Sequence, residues 1–294
     1  MNDKPLISII FPVKNEGKHV ENTLDSLQGV KTNYSLEVIV VDDASVDNCC
    51  DFLLEYKSSS PINFIKTNGV GSSNARNVGA EAAKGEYFVF CDAHLFFEDY
   101  WLDNLLEPLF GGEADAVVPI IAPHDKSHIR ATGQTLNMEK FRATWNYNYE
   151  DLQEVAILPG GCLAIPKTVF LDVNGFERGF RVWGFEDIEL SIKLWLFGYR
   201  CCVQPKSKVL HVFRKVFPYK MSVDFSDYNM MRLAYSHFSE ERIKKCENFI
   251  RRPEITKDLI NDVLENGVLK QRDNYLKKRK FDDNWFFEKF SINF

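Results

Sequence analysis

Short apolar runs with the character of buried strands alternate with helix-like stretches through the first third of the chain, and this alternation constrains the fold most. Residues 36–41 (LEVIVV) form an unbroken apolar run of strand length, which is typical of a strand buried on both faces. Residues 6–11, 62–65 and 87–91 form similar runs, and helix-compatible stretches such as residues 73–83 separate them. Because parallel strands need long crossover connections, the pattern predicts an α/β fold with a parallel, doubly wound sheet.

The later part of the main domain follows this pattern less regularly. Residues 116–121 and 156–165 are predicted as strands, and residues 187–197 have the apolar spacing of a helix that ends at Gly198.

Near residue 224 the composition changes to mixed charge with few β-branched runs, and helices are predicted. This change divides the chain into a main domain over residues 1–223 and a helical C-terminal extension over residues 224–294. The extension includes a basic and aromatic segment, KKRKFDDNWFFEKF (residues 277–290). We interpret this segment as part of a helical cover that packs on the main domain; peripheral contact with an anionic membrane is the alternative.

Composition excludes several classes of protein. With 45% hydrophobic residues, the 294-residue chain can bury a core, so it is neither disordered nor fibrous. The net charge of −6 argues against nucleic acid as a partner, since binding phosphates needs clustered Lys and Arg. The seven cysteines are odd in number and lack Cys-x-x-Cys spacing, which favours free thiols in a cytoplasmic protein. Apolar runs are too short to span a bilayer.

Polar residues follow each of the first four predicted strands. The strands are followed by residues 12–16 (PVKNE), residues 42–45 (DDAS), residues 67–77 (TNGVGSSNARN) and residues 92–94 (DAH). In a doubly wound sheet, ligands bind outside the carboxyl ends of the strands. We therefore expect carboxylates, a glycine-bearing loop with an arginine, and an Asp-x-His pair to converge on one edge.

These residues suit a nucleotide diphosphate and a metal ion. Asp92 and His94 are two apart, so at an extended strand end both can point the same way and bind Mn²⁺ or a similar ion; the alternative is a capped turn. Asp43 could accept a hydrogen bond from a base imide such as that of uracil, or form an Asx turn. Arg76 could pair with a diphosphate, or be a solvated helix residue.

The sequence lacks the motifs of several other classes of nucleotide-binding protein. There is no G-x-G-x-x-G after the first strand and no P-loop sequence, which removes the main support for a dinucleotide oxidoreductase or a P-loop ATPase. A nucleotidyltransferase would need a basic glycine-rich loop after the first strand, where PVKNEGKH stands. It is kept as an alternative, together with a non-catalytic sugar-nucleotide-binding protein.

Six segments resemble known glycosyltransferases. SIIFPVKNE, VIVVDDASVDN and NARNVGAEAAKGEY resemble the start of family 2 glycosyltransferases of the GT-A fold. LPGGCLAIPKTVFLDVNGF, WGFEDIELSIKLWLFG and KVLHVFRKVFPY resemble the catalytic core of polypeptide N-acetylgalactosaminyltransferases, and the resemblance covers about residues 5–220. It implies a Rossmann-like, mostly parallel central sheet flanked by helices. It also implies a UDP-sugar donor carrying GalNAc, GlcNAc or Glc, Mn²⁺ or another divalent cation such as Mg²⁺, and a hydroxyl acceptor on a peptide, protein or glycan.

The resemblance also assigns individual residues. It implies that Asp92, His94 and His211 are metal ligands, although His211 taken alone is more often a core histidine. It places Trp183 and Glu186 at the acceptor-side wall and the catalytic carboxylate region. It also implies a set of residues that contact the nucleotide or the donor sugar, or lie next to them. These are Pro12, Glu16, Asp43, Arg76, Gly160, Gly161, Trp183, Arg214 and Tyr219.

One position departs from the resembled core. The retaining N-acetylgalactosaminyltransferases have Asn where Asp187 stands, whereas inverting family 2 enzymes have their general base at such an Asp. An inverting displacement needs a carboxylate to take the proton of the attacking hydroxyl. Asp187 is therefore the predicted base, with Glu186 beside it; the alternative is a carboxylate that only stabilises a helix N-terminus. Inverting and retaining transfer both stay open at this point. A lectin domain and a membrane anchor are not expected.

Overall fold

The structure is a computed structural model that describes residues 4–214, 216, 218 and 222–294. Within these residues, eleven strands form one sheet. The strands are β1 Leu6–Val13, β2 Ser35–Asp43, β3 Ile62–Thr67, β4 Tyr87–Cys91, β5 Leu95–Phe97, β6 Ala116–Pro123, β7 Ala131–Asn137, β8 Arg142–Tyr147, β9 Gln153–Glu154, β10 Cys162–Pro166 and β11 Cys201–His211.

Ten α-helices are formed by the same described residues. They are α1 His19–Gly29, α2 Ser72–Ala82, α3 Trp101–Phe110, α4 Lys167–Asp172, α5 Glu186–Phe197, α6 Val223–His237, α7 Glu240–Glu247, α8 Thr256–Glu265, α9 Val268–Lys278 and α10 Asp283–Lys289. Short 3₁₀ turns lie at Asp51–Leu54, His124–Lys126 and Pro253–Ile255. None of these described helices has the length and apolar character that crossing a bilayer requires.

The first half of the sheet confirms the predicted α/β arrangement. Strands β3, β2, β1 and β4 lie side by side in that order and are parallel. Residues 38–43 of β2 are all buried, as the LEVIVV run predicted. The register sets Val13 opposite Asp42, and Asp43 opposite Thr67. Their polar ends therefore meet at one edge of the sheet.

Beyond β4 the pairing is mixed. Strand β10 runs antiparallel to both β4 and β6, and β11 is parallel to β6. The prediction of a strand over residues 156–165 is wrong in its first part, because a strand forms only from Cys162. Ile157 makes a single bridge to Gln134, and the Pro159-Gly160-Gly161 turn then carries the chain past the end of β4.

The C-terminal helices cover the main domain, as predicted. Phe238, Phe286 and Phe287 are almost fully buried and belong to the same apolar cluster as Ile10 of β1. Trp195 of α5 packs against Phe290, with ring centroids 5.1 Å apart. The extension therefore buries the outer face of α5. The boundary at residues 223/224 stays a prediction.

The packing of α2 on the sheet depends on Gly79. A Cβ atom there would lie 2.4 Å from Ile10 Cγ2 and 3.3 Å from Val41 Cγ2. We expect Gly79→Ala to lower the free energy of unfolding by about 1–3 kcal/mol, because buried strand side chains cannot move aside. Gly29→Ala, at the end of α1 with nothing within 4 Å, is the matched control and should be neutral or slightly stabilising. Equal urea midpoints for the two variants would contradict this prediction.

Candidate active site

A cleft of about 1210 Å³ lies at the edge where β1, β2 and β4 end. It is closed on other sides by the Gly160-Gly161 turn, the N-terminus of α5 and the C-terminal extension. The predicted site residues that line it are Pro12, Glu16, Asp43, Arg76, Asp92, His94, Gly160, Gly161, Trp183, Glu186, Asp187, His211 and Arg214. Tyr219, also predicted, lies outside the described residues. The structure thus brings together the predicted residues that it describes.

Asp92, His94 and His211 form a cluster with the geometry of a metal site. One ligand atom from each lies within 4.8 Å of the others. Asp92 Oδ2 is 3.3 Å from His211 Nε2 and 3.8 Å from His94 Nε2. The pairing of β5 with β11 sets Leu95 opposite His211 and so brings His94 beside it. One carboxylate oxygen and two imidazole nitrogens are a donor set that suits Mn²⁺.

The ionisation of this cluster fits a divalent cation. Burial opposes ionisation of Asp92, but the hydrogen bond with His211 and the positive charge of Arg76 lower its pKa well below the ordinary range. Burial lowers the pKa of both His94 and His211. The carboxylate is therefore ionised and the imidazoles are neutral at pH 7, which are the forms that bind metal.

Glu16 lies behind His94 rather than at the open part of the cleft. Its carboxylate is buried, and Oε2 is 3.2 Å from His94 Nδ1. Arg214 pairs with Glu16, and its Nη2 is 3.2 Å from His94 Nδ1. In the tautomer with its proton on Nδ1, His94 donates to Glu16, Arg214 pairs with Glu16 and not with the ring, and Nε2 is free to bind a metal. Glu16 thus acts on the metal site, a role that the sequence analysis did not assign to it.

We expect Glu16→Gln to weaken Mn²⁺ binding about tenfold, because outer partners of metal-binding histidines typically contribute this much. Calorimetry or electron paramagnetic resonance with Mn²⁺ measures it directly, without turnover. Glu55 is exposed and is separated from Glu16 in the sequence. Glu55→Gln makes the same change in charge and should leave the Mn²⁺ affinity unchanged. If the two variants bind Mn²⁺ equally well, Glu16 does not position His94.

Arg76 connects the metal cluster to the carboxylates of α5. Its guanidinium is only 4% exposed; Nη2 donates to Asp92 Oδ1 at 3.1 Å, and Nη1 donates to Glu186 Oε1 at 3.3 Å. Nη2 also lies 3.3 Å from the carbonyl oxygen of Gly160. Its contact with a diphosphate stays a prediction, since these protein contacts occupy much of the side chain.

The two carboxylates at the start of α5 have different surroundings. Glu186 is buried and accepts hydrogen bonds from Ser72, Arg76 and the Gly184 amide, so it holds the start of the helix in place. Asp187 faces the cleft, where Oδ2 accepts from the Gly160 amide at 3.2 Å. Burial and the neighbouring charge of Glu186 raise the pKa of Asp187 to about 6. Asp187 is therefore the carboxylate suited to take up a proton near neutral pH.

The Gly160-Gly161 turn separates the metal cluster from Asp187. A Cβ atom on Gly160 would lie 3.2 Å from Asp187 Cβ, and one on Gly161 would lie 3.3 Å from His211 Cδ2. The Gly161 carbonyl accepts from the Asp92 amide at 2.9 Å. Two glycines therefore let bare backbone pass between the metal ligands and the candidate base.

Asp43 organises the loop before α2. Its Oδ1 accepts from Thr67 Oγ1 and the Val70 amide, both at 2.6 Å, and its Oδ2 accepts from the Gly71 amide at 3.0 Å. Lys14 Nζ lies 3.6 Å from Oδ2. A carboxylate oxygen accepts about two hydrogen bonds, so Oδ2 keeps an acceptor position for a base imide, and that contact stays a prediction.

Sequence reasoning missed the opposite end of the cleft. This end is formed by the β7–β8 hairpin, the chain after β11 and the C-terminal extension. The residues concerned are Lys140, Phe141, Arg142, Trp145, Phe213, Asp227, Phe249 and Arg251. Phe213 lies in the KVLHVFRKVFPY segment, but no motif marks the others; only the aromatic and basic composition of their segments could have drawn attention.

Comparison with known proteins places the chain in a family. The family model described as glycosyl transferase family 2 matches residues 8–175, which is more than half of the chain. The chain belongs to glycosyl transferase family 2. A second model, the N-terminal domain of galactosyltransferase, matches residues 137–217 of this family 2 protein and so covers α5 and His211.

The chain is also similar to curated N-acetylgalactosaminyltransferases. Polypeptide N-acetylgalactosaminyltransferase 8 of Drosophila melanogaster is 28% identical over 100% of this chain and 52% of the relative. Polypeptide N-acetylgalactosaminyltransferase 10 of Homo sapiens is 27% identical over 97% of this chain and 49% of the relative. The chain thus spans about half the length of these relatives.

The solved structures show the fold. The structure of GalNAc-T7 with UDP, GalNAc and Mn²⁺ matches 99% of this chain and 57% of its own, with a TM-score of 0.79 and 20% identity. Staphylococcus aureus TarS with UDP-GlcNAc matches 92% of this chain and 89% of its own, with a TM-score of 0.62 and 18% identity. The predicted GT-A fold is confirmed.

Proposed function

We propose that this family 2 protein is a metal-dependent glycosyltransferase that moves a sugar from a UDP-sugar to a hydroxyl group of a peptide, protein or glycan. The observation that carries the proposal is the meeting, in one cleft, of the Asp92, His94 and His211 cluster with Asp187. Relatives named as polypeptide N-acetylgalactosaminyltransferases support it.

In this proposal the residues divide the chemistry between them. Asp92, His94 and His211 would hold a divalent cation, Mn²⁺ by preference, which would supply positive charge against the departing diphosphate. Asp187 accepts the proton of the acceptor hydroxyl while that oxygen forms its bond to the anomeric carbon and the bond from carbon to diphosphate breaks. The Gly160 amide orients Asp187 for this step. Direct displacement of this kind inverts the configuration of the sugar.

We include GalNAc, GlcNAc and Glc as donor sugars. The neighbours solved with UDP and GalNAc, and with UDP-GlcNAc, support an N-acetylhexosamine in particular. Backbone at Gly160 and Gly161 would lie against this sugar, because bare glycine leaves room there.

A screen of UDP-sugars with Mn²⁺ tests the proposal, with UDP release measured in the presence and absence of peptide and glycan acceptors. We expect UDP release for at least one of the three donors, and a product of inverted configuration by NMR. Pyrophosphate release from a nucleoside triphosphate and a sugar phosphate would instead favour a nucleotidyltransferase. Binding of UDP with no turnover of any donor would favour the non-catalytic alternative.

A further inference from the structure

Among the residues that the structure describes, two cations at the end of the cleft formed by the β7–β8 hairpin have no carboxylate partner. Lys140 and Arg142 line the cleft and are exposed, at the tip of the β7–β8 hairpin and the start of β8. Within the described part of the chain, no Asp or Glu oxygen lies within 4.0 Å of Lys140 Nζ or of an Arg142 guanidinium nitrogen. Unpaired positive charge facing a cleft is suited to a negatively charged ligand.

The residue between them is anchored, which fixes their position. Phe141 is 2% exposed and contacts the rings of Phe185, Phe238 and Phe249, with centroids 5.5, 6.0 and 6.0 Å away. Phe185 immediately precedes Glu186 and Asp187. The hairpin tip is therefore held against the segment that carries the candidate base.

A third cation lies on the same side. Arg251 follows Phe249 by two residues, lines the cleft, and is half exposed. The buried carboxylate of Asp227 accepts from Arg251 Nε and Nη2 at 2.9 and 2.6 Å. Both bonds end on Asp227 Oδ1, and Nη2 also donates to the Val223 carbonyl oxygen, so these contacts orient the guanidinium.

The other carboxylates of the cleft do not neutralise this end. Glu16 pairs with Arg214, Asp43 lies beside Lys14, and Asp92 and Glu186 share Arg76. Asp187, the remaining carboxylate near the metal cluster, accepts from the amides of Gly160 and Ile188. The charge of Lys140 and Arg142 is left for another ligand.

Aromatic side chains lie between the two ends. Phe213 is 49% exposed and packs on the metal-cluster residue His211, with ring centroids 4.2 Å apart. Trp145 of β8 meets Phe213 edge-on at 6.2 Å. Both line the cleft, and aromatic faces of this kind bury the apolar faces of sugar rings.

We propose that the acceptor is an anionic glycan, whose carboxylate or phosphate group binds Lys140 and Arg142 while a sugar ring packs on Phe213 and Trp145. This inference rests on the proposed glycosyltransferase function and specifies its acceptor. A carboxylate or phosphate here forms charge-assisted hydrogen bonds with the two cations, with Arg251 close by.

The test measures binding to the full chain with Mn²⁺ and UDP present. The probes are an oligosaccharide that contains glucuronate, the same oligosaccharide with its carboxyl groups reduced to alcohols, an oligosaccharide linked by phosphodiesters, and an Asp-rich peptide that contains serine. We expect at least one acidic oligosaccharide to bind about tenfold more tightly than the neutral one. The two acidic probes distinguish carboxylate from phosphate as the recognised group.

A matched pair of double variants assigns this preference to the hairpin. Lys140→Gln with Arg142→Gln should remove the preference, whereas Lys57→Gln with Lys257→Gln changes two exposed lysines outside the cleft and should retain it. Any of four results would overturn the inference. These are equal affinity for acidic and neutral oligosaccharides, tighter binding of the peptide than of the oligosaccharides, binding of no probe, and an acidic preference that survives in the hairpin variant. UDP affinity, measured alongside, keeps the two proposals apart: if wild-type protein binds UDP with Mn²⁺ but shows no acidic preference, only the acceptor assignment fails.

Discussion

Asp187→Asn is expected to lower kcat by a factor of about 10²–10⁴, the usual contribution of a positioned general base. The amide has nearly the shape of the carboxylate and can still accept the hydrogen bond from the Gly160 amide, but it cannot take the hydroxyl proton. UDP affinity should change little, because the metal cluster lies on the other side of the Gly160-Gly161 turn. Steady-state kinetics with the donor found in the UDP-sugar screen measures the loss.

The pH dependence of the wild-type enzyme follows from the same residue. Burial and Glu186 raise the pKa of Asp187 to about 6, although Arg76 and the amides of Gly160 and Ile188 act in the opposite direction. The base must be ionised, so kcat should rise as the pH increases through about 6 and level off above it. A pH profile that stays flat from 5 to 8, or full transfer by Asp187→Asn, would show that another group accepts the proton.

The stability of Asp187→Asn provides the control for correct folding. A carboxyl group whose pKa is higher in the folded state than in the unfolded chain binds its proton more tightly when folded. Wild-type protein therefore loses stability as the pH rises from about 4 to about 6, and the asparagine variant does not. We expect the variant to be more stable than wild type at pH 7.5 by about 3 kcal/mol, roughly 6 °C in Tm, and equally stable near pH 4. A variant that unfolds early at pH 7.5 would make its low activity a folding effect.

The part of the fold that the sequence predicts is the part built from buried, continuous strands. β2 and β4 are apolar on both faces, so their runs are readable without any tertiary information. β8 and β11 were not predicted, and the reasons are physical. β8 is half exposed and carries mixed side chains, and β11 contains Pro205 within an irregular register between Gln204 and Lys208. Such strands form because their neighbours pair with them, which a local pattern does not contain.

The candidate site also has one part that the sequence predicts and another that only the structure locates. Asp43, Asp92 and His94 directly follow predicted strands, so topology alone brings them to one edge. His211 joins them from more than a hundred residues away, and resemblance to a family was needed to connect it. The contact of Glu16 with His94 and the placement of Lys140 and Arg142 depend on loop geometry. Loops of this kind have no periodic pattern, so only the structure locates them.

Asp92→Asn is expected to have the other large effect, because it removes the one negative charge of the metal cluster. The substitution keeps the shape of the side chain but replaces the oxygen that lies 3.3 Å from His211 with part of a neutral amide. The binding of Mn²⁺ should fall at least about a hundredfold, and kcat with a UDP-sugar by about 10³, since a metal ion at a leaving diphosphate contributes several kcal/mol. Calorimetry with Mn²⁺ in the presence of UDP gives the first quantity, and UDP release gives the second.

The control for Asp92 has to separate loss of metal from loss of the contact with Arg76. Asp92 Oδ1 also accepts from Arg76, so the variant leaves that guanidinium with Glu186 as its remaining carboxylate partner among the described residues. Asp151→Asn, an exposed position outside the cleft, makes the same change in charge and should leave both quantities unchanged. Wild-type protein treated with EDTA should reproduce the kinetic loss and recover on addition of Mn²⁺, whereas Asp92→Asn should not recover. If Asp92→Asn bound Mn²⁺ as tightly as wild type, the cluster of Asp92, His94 and His211 would not be the metal site.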